Sequence, residues 1–324
     1  MPSRPRIPPV SKQPGTRCLS PVHRFVGGGL DRKRRLRIAL GAVCNNNCVF
    51  CSEVDREARK RANKVMRGDR VTDLLARNVD VREVYFTSGE PTLHPELALF
   101  VRQARDMGYE RIGVVTNGRR LAYAGFASQL VRAGLTDICI SIHGHTASLH
   151  DALTRTPGSF SQTEAGIDAM VALRSRGVTV RTATVLTRIN TPLLPELHRW
   201  LMERGVDEAA YHAMRLTGQP RETLDAILPS YREIRQSFER LKDGDDGWFT
   251  RAVIVDVPPC TVHGSAIVSS VQHDDEEDGA EPPVRRYGAG CERCARRDMC
   301  PGVYRAYADR YGWAEFTPVP GASS

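Results

Sequence analysis

The stretch Leu36-Arg37-Ile38-Ala39-Leu40-Gly41-Ala42-Val43-Cys44-Asn45-Asn46-Asn47-Cys48-Val49-Phe50-Cys51 decides how this chain is read. Its first half is a short apolar strand, and its second half spaces three cysteines as C-x3-C-x2-C on the loop that follows. Three thiolates on one loop hold three irons of a cubic iron–sulfur cluster and leave the fourth iron open to chelation. The competing occupant is zinc in a knuckle. Zinc favours four ligands, commonly from paired C-x2-C hooks, and no adjacent histidine completes a tetrahedron here.

Outward from this loop the chain alternates strands and amphipathic helices. Strands are expected at 36–42, 82–87, 111–116, 137–142, 178–185 and 208–214. Leu97, Val101, Ala104 and Met107 recur at helical spacing between the second and third, as do Ile167, Met170, Val171 and Leu173 between the fourth and fifth. Each interval is long enough for a helical crossover. Six βα units in a row predict an α/β fold over residues 35–215, a parallel sheet either doubly wound or curled into a partial (β/α)6 barrel.

Residues 1–34 read as an extended arm, with five prolines before residue 15 and the run Gly27-Gly28-Gly29. Arg32 to Leu40 superficially matches a twin-arginine export signal but runs straight into the cysteine motif, so a cytoplasmic protein is expected. No apolar run is long enough to span a membrane. The net charge of +8 reads as a solvated, arginine-rich surface. An RNA or another anionic partner is the alternative, but no stretch interleaves basic and aromatic residues as a stacking platform does.

Six of the nine cysteines fall in two groups of three, an arrangement that points to metal ligation rather than to a disulfide framework. Residues 216–324 read as a small α+β cysteine-rich extension. A helix is expected at 229–241, strands at 251–256 and 265–271, a flexible loop near 272–288, and a short helix from Gly302 to Tyr311. Cys18 stands apart in the arm as a ligand, a lid residue or an incidental thiol.

The motif Ser88-Gly89-Glu90-Pro91 follows the second strand, behind the C-x3-C-x2-C loop. Together the two motifs resemble the radical S-adenosylmethionine (SAM) enzymes. The resemblance implies a four-iron cluster on Cys44, Cys48 and Cys51. It also implies that the Gly89 backbone and the Glu90 carboxylate receive the amino group of SAM, as suits a glycine loop and an anion facing an ammonium. Ser88 stands where the family often has a second glycine. Phe50 resembles the residue packed near the adenine, and Asn117, in Thr116-Asn117-Gly118, is either a SAM contact or a plain turn residue. The run Ser141-Ile142-His143-Gly144, with His150-Asp151, Arg155 and Gly158-Ser159-Phe160, resembles a stretch whose polar groups meet the ribose and carboxylate of SAM; His143 replaces the usual acid.

Cys291-x2-Cys294-x5-Cys300 resembles the SPASM or shortened twitch extension of the same family, with Tyr304 where the full pattern has another cysteine. That implies one auxiliary iron–sulfur cluster, for which Cys260, returned by a hairpin, is the natural fourth ligand. A structural zinc in the same four-cysteine cage is the alternative.

The implied function is reductive cleavage of SAM to a 5′-deoxyadenosyl radical, which takes a hydrogen atom from a small-molecule, sugar-like substrate or from a peptide. The electron comes from a donor such as flavodoxin or ferredoxin. An auxiliary cluster suits net oxidation or cross-linking. Epimerisation is the alternative, with Cys139, on the same strand face as Ser141, returning a hydrogen atom or serving simply as a small buried hydrophobe. His212 and Arg215 end the sixth strand, where they meet substrate or serve instead as a satisfied histidine and a SAM-facing arginine. Peptide-modifying relatives often carry a leader-binding domain, and an arm of this length leans toward a small molecule. The alternative of another class is a cysteine-rich zinc protein that binds nucleic acid.

Overall fold

A computed structural model describes residues 22–24, 35–51, 65–123, 125–216, 221–244, 251–262 and 285–321. Cys18, the strand expected at 265–271 and nearly all of the loop near 272–288 lie outside the described residues. One eight-stranded sheet runs in the order β1 (Val22–Arg24), β2 (Arg35–Ala39), β3 (Glu83–Thr87), β4 (Arg111–Thr116), β5 (Asp137–Ser141), β6 (Thr179–Val185), β7 (Glu208–His212) and β8 (Ala252–Val255). β1 is antiparallel to β2, and β2 to β8 are all parallel.

The six expected strands are therefore present, with two additions. The arm contributes an antiparallel edge strand, and the strand expected at 251–256 joins β7 as a seventh parallel strand rather than belonging to a separate unit.

Helices α1 (Gly68–Ala76), α2 (Leu97–Asp106), α3 (Phe126–Ala133), α4 (Ala147–Thr154), α5 (Ser159–Val171) and α6 (Leu194–Glu203) fill the crossovers between parallel strands. Helix α2 buries Leu97, Phe100, Val101 and Ala104, an i, i+3, i+4, i+7 stripe that the period of the helix dictates. On the sheet, one row of side chains packs into the same core: Leu36 and Ile38, Val84 and Phe86, Ile112 and Val114, Ile138 and Ile140. Alternation puts charged groups on the other face.

That other face is curled. The Arg181 guanidinium on β6 donates to the Tyr85 hydroxyl on β3 at 2.6 Å and also pairs with Asp137, which is 1% exposed. β3 and β6 lie three strand spacings apart, about 14 Å along a flat sheet, so a bond between them needs strong curvature. Arg35 closes the other side, ion-paired to Glu83 at 2.9 Å with its guanidinium 4.5 Å from the Tyr85 ring centre. The Tyr85 ring lies directly over Gly113, where a Cβ would stand 2.2 Å from Cε1. This ring and its ion pairs make a polar floor at one end of the curled sheet.

After β7 come α7 (Arg221–Ile227) and α8 (Tyr231–Asp243), the latter opened by a capping box in which Ser230 and Glu233 bond reciprocally. Beyond β8 the hairpin of β9 (Arg285–Arg286) and β10 (Val303–Tyr304) leads into α9 (Arg305–Tyr311). β9 occupies the end of the expected loop, and β10 takes the first residues of the expected final helix. Tyr307 and Tyr311 of α9 fasten this segment to the sheet domain: the Tyr231 amide donates to the Tyr307 hydroxyl at 2.7 Å, and Arg188 to that of Tyr311 at 2.8 Å. Among the described residues no helix is long and apolar enough to cross a membrane.

Candidate active site

The cysteine loop leaves the C-terminal end of β2 and is fastened on two sides. The amides of Asn47 and Val49 donate to the carbonyls of Thr154 and Leu153 at the end of α4, each at 2.9 Å. The Glu90 amide donates to the Val43 carbonyl at 2.7 Å. Cys44, Cys48 and Cys51 are half-buried on this loop and form no disulfide, and the Asn46 amide approaches Cys44 Sγ at 3.4 Å. Soft thiol donors on a loop fixed by backbone bonds, one of them approached by an N–H, suit an iron–sulfur cluster.

Ser88 and Gly89 both take left-handed conformations, with φ of 73° and 55°. A Cβ on Gly89 would stand 2.4 Å from the Val43 carbonyl oxygen, so glycine is required where the two loops touch. Ser88 occupies a conformation that glycine adopts without cost, which gives a physical reason for a glycine pair in such motifs.

The Glu90 carboxylate, expected to receive the amino group of SAM, is turned inward in this structure. It is 3% exposed and accepts four bonds: from the Thr92 amide at 3.0 Å, the Thr92 hydroxyl at 2.6 Å, the Thr116 hydroxyl at 2.5 Å and the Asn117 amide at 2.6 Å. Burial raises its pKa, and these donors pull it back. The side chain ties the loop after β3 to the end of β4.

Asn117 is more than a turn residue. Its amide group donates to Asn45 Oδ1 at 2.6 Å, and Arg119 bonds the Asn45 carbonyl and, at 2.9 Å, Asn46 Oδ1. The three asparagines of the cysteine loop are thus pinned by Asn117, Arg119 and Thr154. Arg119 carries no motif that would single it out in an arginine-rich chain.

Phe50 and His143 come together, their rings 4.5 Å apart edge to face. His143 is buried and held neutral, its pKa pushed well down by burial and by its histidine neighbours. Its Nδ1 accepts from the Val185 amide at 3.4 Å, while His150 Nδ1 accepts from the His143 amide at 3.1 Å. Asp151 and Ser159 are spent elsewhere: Asp151 accepts from the Gly158 and Phe160 amides and the Ser159 hydroxyl, capping α5. Arg155 is half-buried, ends α4 in a left-handed conformation at φ 51°, and directly follows the Thr154 that holds Asn47.

Ser141 and Cys139 are half-buried on the strand face opposite the core row. Burial pushes the Cys139 thiol up to about 12, so it stays protonated. His212 ends β7, and burial together with the fields of Arg215 and Arg37 lowers its pKa to about 4.

Cys260 lies in the turn Pro259–Thr261, just past β8. It lines one small cavity together with Cys291, Cys294 and Cys300, beside Tyr287 and Phe316. Burial first, then the proximity of the other three cysteines, pushes its thiol up to about 12. The amides of Gly302 and Val319 reach Cys300 Sγ and Cys294 Sγ, each at 3.4 Å. Among the described residues no three His, Cys, Asp or Glu side chains are drawn into a cage for a single metal ion.

Residues 38–201 match the family model of the radical SAM superfamily. The chain belongs to the radical SAM superfamily. Relatives include the GTP 3′,8-cyclase of Chlorobaculum tepidum, 31% identical over 49% of this chain and 47% of that protein. The probable GTP 3′,8-cyclase of Sulfurisphaera tokodaii is 26% identical over 64% of this chain and 62% of its own length. The chain thus matches about half to three-fifths of these relatives. Among solved structures, Streptococcus suis SuiB bound to its precursor peptide SuiA superposes with a TM-score of 0.53 at 16% identity, over 67% of this chain and 48% of that one. The AdoMet- and peptide-bound anSMEcpe gives 0.52 at 16%, over 64% and 58%. At such identities the two structures show the radical SAM fold alone.

Proposed function

We propose that this radical SAM protein is an enzyme acting on a small anionic molecule, with Cys44, Cys48 and Cys51 holding a four-iron cluster beside a SAM site. The observation that carries this reading is the contact between the cysteine loop and the Ser88-Gly89-Glu90 loop. It sets three thiols next to a left-handed backbone turn whose carbonyls are free of Cβ crowding at Gly89. When bound, the cluster and SAM supply a reducing electron and a 5′-deoxyadenosyl radical that takes a hydrogen atom from substrate carbon.

The chain's own residues do the rest. Because Glu90 is turned inward, the backbone carbonyls of the loop are the groups that receive an ammonium, and Glu90 fixes their direction. Asn117 and Arg119 hold the cysteine loop in place. Phe50 and neutral His143 wall off water, and Arg155 suits a carboxylate. Arg37 and Arg215 give the open face positive charge, which favours an anionic substrate over a sugar without phosphate. The GTP 3′,8-cyclases among its relatives are named for an anionic substrate.

Cys260, Cys291, Cys294 and Cys300 suit an auxiliary cluster and, through it, net oxidation. The alternative, epimerisation, is favoured by one observation: Cys139 is a buried thiol, kept protonated, on the strand face opposite the core row. Family membership displaces the reading as a nucleic-acid-binding zinc protein.

Protein reconstituted anaerobically with iron and sulfide, then given dithionite and SAM, should release 5′-deoxyadenosine. The Cys44/Cys48/Cys51→Ala triple variant should release none. Undiminished release from that variant would overturn the assignment.

A further inference from the structure

The four cysteines of the small C-terminal cavity come from two separate pieces of chain, one following β8 and the other following β9. The first piece is stiff. Val257-Pro258-Pro259 leads from β8 into Cys260, and each proline ring fixes its own φ. The Thr261 amide and hydroxyl both donate to the Pro258 carbonyl, at 2.9 and 2.6 Å, and close the turn around Cys260. The place of Cys260 is therefore set by the residue from which this piece departs, Asp256.

Asp256 takes a left-handed conformation at φ 61° and is 3% exposed. A buried carboxylate is costly unless it is paired. Its Oδ1 lies 3.7 Å from a guanidinium nitrogen of Arg285 on β9, itself largely buried. That guanidinium stands 4.1 Å from the ring centre of Tyr304, its register partner on β10, and donates to the Tyr304 hydroxyl at 2.8 Å. The hairpin in turn holds the second piece. The Tyr287 hydroxyl donates to the Cys300 carbonyl at 2.8 Å, and Gly302, bent back at φ 73°, aims its amide at Cys300 Sγ. One ion pair thus spans the two pieces, with a rigid arm ending in Cys260 on one side and the three-cysteine loop on the other.

We propose that the Asp256–Arg285 ion pair positions Cys260 against Cys291, Cys294 and Cys300, and so sets whether this site presents four thiolates or three to an iron–sulfur cluster. The inference rests on the reading of these four cysteines as a metal site. The difference is chemical: four thiolates occupy every iron of a cubic cluster and suit electron transfer, whereas three leave one iron open to a small ligand. Neither Asp256 nor Arg285 lines the cavity, so both act as positioning residues.

The test uses holoenzyme reconstituted anaerobically with iron and sulfide, and iodoacetamide as probe, with alkylation of each cysteine read by mass spectrometry. In wild type, Cys260 should be protected as well as Cys291, Cys294 and Cys300. Asp256→Asn keeps the left-handed preference without the charge, and Asp256→Gly takes the same conformation without strain but lacks the carboxylate. Both should let Cys260 react faster by about tenfold or more, while the other three stay protected. Arg285→Ala should do the same, and Arg285→Lys, which keeps the charge, should restore most of the protection. Wild-type protection of Cys260 in both Asp256 variants would overturn the inference, because the backbone and the prolines would then suffice. So would loss of protection at all four cysteines together, which would mean that the pair supports the whole segment rather than the place of Cys260. Rapid alkylation of Cys260 in the loaded wild type would instead sink the four-cysteine reading, whatever the variants do.

Discussion

Gly89 lies so close under Val43 that a side chain cannot be placed between them. A Cβ would meet the Val43 carbonyl oxygen at 2.4 Å and that of Gly41 at 2.7 Å, both of them backbone atoms that no rotamer change can move. This contact joins the two loops that define the site. Gly89→Ala should therefore separate them, adding a left-handed penalty of roughly 1 kcal/mol to the steric one. Equilibrium dialysis should show SAM affinity falling by at least about tenfold, equivalent to roughly 1.4 kcal/mol. Ser88→Gly, at φ 73°, relieves backbone strain instead and should keep affinity close to wild type. Equal effects of the two substitutions would mean that the close approach does not matter.

His150 offers a pH signature. Its Nδ1 accepts from the His143 amide, so a proton there would face another N–H, and its buried Nε2 has no partner among the described residues. Burial lowers its pKa from 6.5 to about 4. Since the folded value lies below the unfolded one, the unfolded chain binds the extra proton between these values. The stability is full above pH 6.5 and is lost as pH falls toward 4, in all roughly 3 kcal/mol. His150→Gln keeps an acceptor and cannot titrate. Urea unfolding should show the advantage of wild type over this variant shrinking as the medium is acidified. Parallel curves for the two proteins would show that His150 does not titrate on unfolding.

Much of this was legible in the sequence, for identifiable reasons. Strand positions followed from apolar runs such as Val84–Phe86 and Ile138–Ile140, and the helix faces from stripes such as Leu97–Ala104. The cysteine spacing located the site. Side-chain direction was not legible: the Glu90 motif marks a loop but not that its carboxylate turns inward to Thr92, Thr116 and Asn117. Arg119 was invisible because one arginine among many carries no periodicity. The seventh parallel strand is not legible as part of the sheet, because two helices, α7 and α8, separate it from β7 and the regular strand–helix alternation fades past residue 215. Asp151 gives a second case of hidden side-chain direction, since its sequence motif does not reveal that the carboxylate caps α5 through the Gly158 and Phe160 amides.

Cys139 separates the two fates of a substrate radical. Its protonated thiol lies beside Asp137 and Ser141 on the face opposite the core row. If it returned a hydrogen atom, Cys139→Ala would consume SAM without giving the epimerised product, and wild type in deuterated water would place deuterium at the reacting carbon. Under the oxidation reading neither happens, and Cys139→Ala should keep turnover within about threefold of wild type, as a small buried hydrophobe allows. Mass spectrometry of product made in deuterated water decides between them, and deuterium at that carbon would overturn the oxidation reading.

The four C-terminal cysteines can be tested by stoichiometry, with no knowledge of the substrate. If Cys260, Cys291, Cys294 and Cys300 hold a second cubic cluster, reconstituted protein should bind about eight irons per chain. The Cys44/Cys48/Cys51→Ala variant and a variant lacking the C-terminal four should each keep about half. The halves should also behave differently. Four thiolates leave no open iron, so only the N-terminal cluster should change its electron paramagnetic resonance signal when SAM is added. In such a cluster the amides of Gly302 and Val319, directed at Cys300 and Cys294, would stabilise the reduced form. The C-terminal variant should accordingly cleave some SAM but form no oxidised product. About four irons with one tightly held zinc would instead mean a structural zinc cage on the same cysteines. The oxidation reading would then lose its electron acceptor, while the assignment of Cys44, Cys48 and Cys51 would stand.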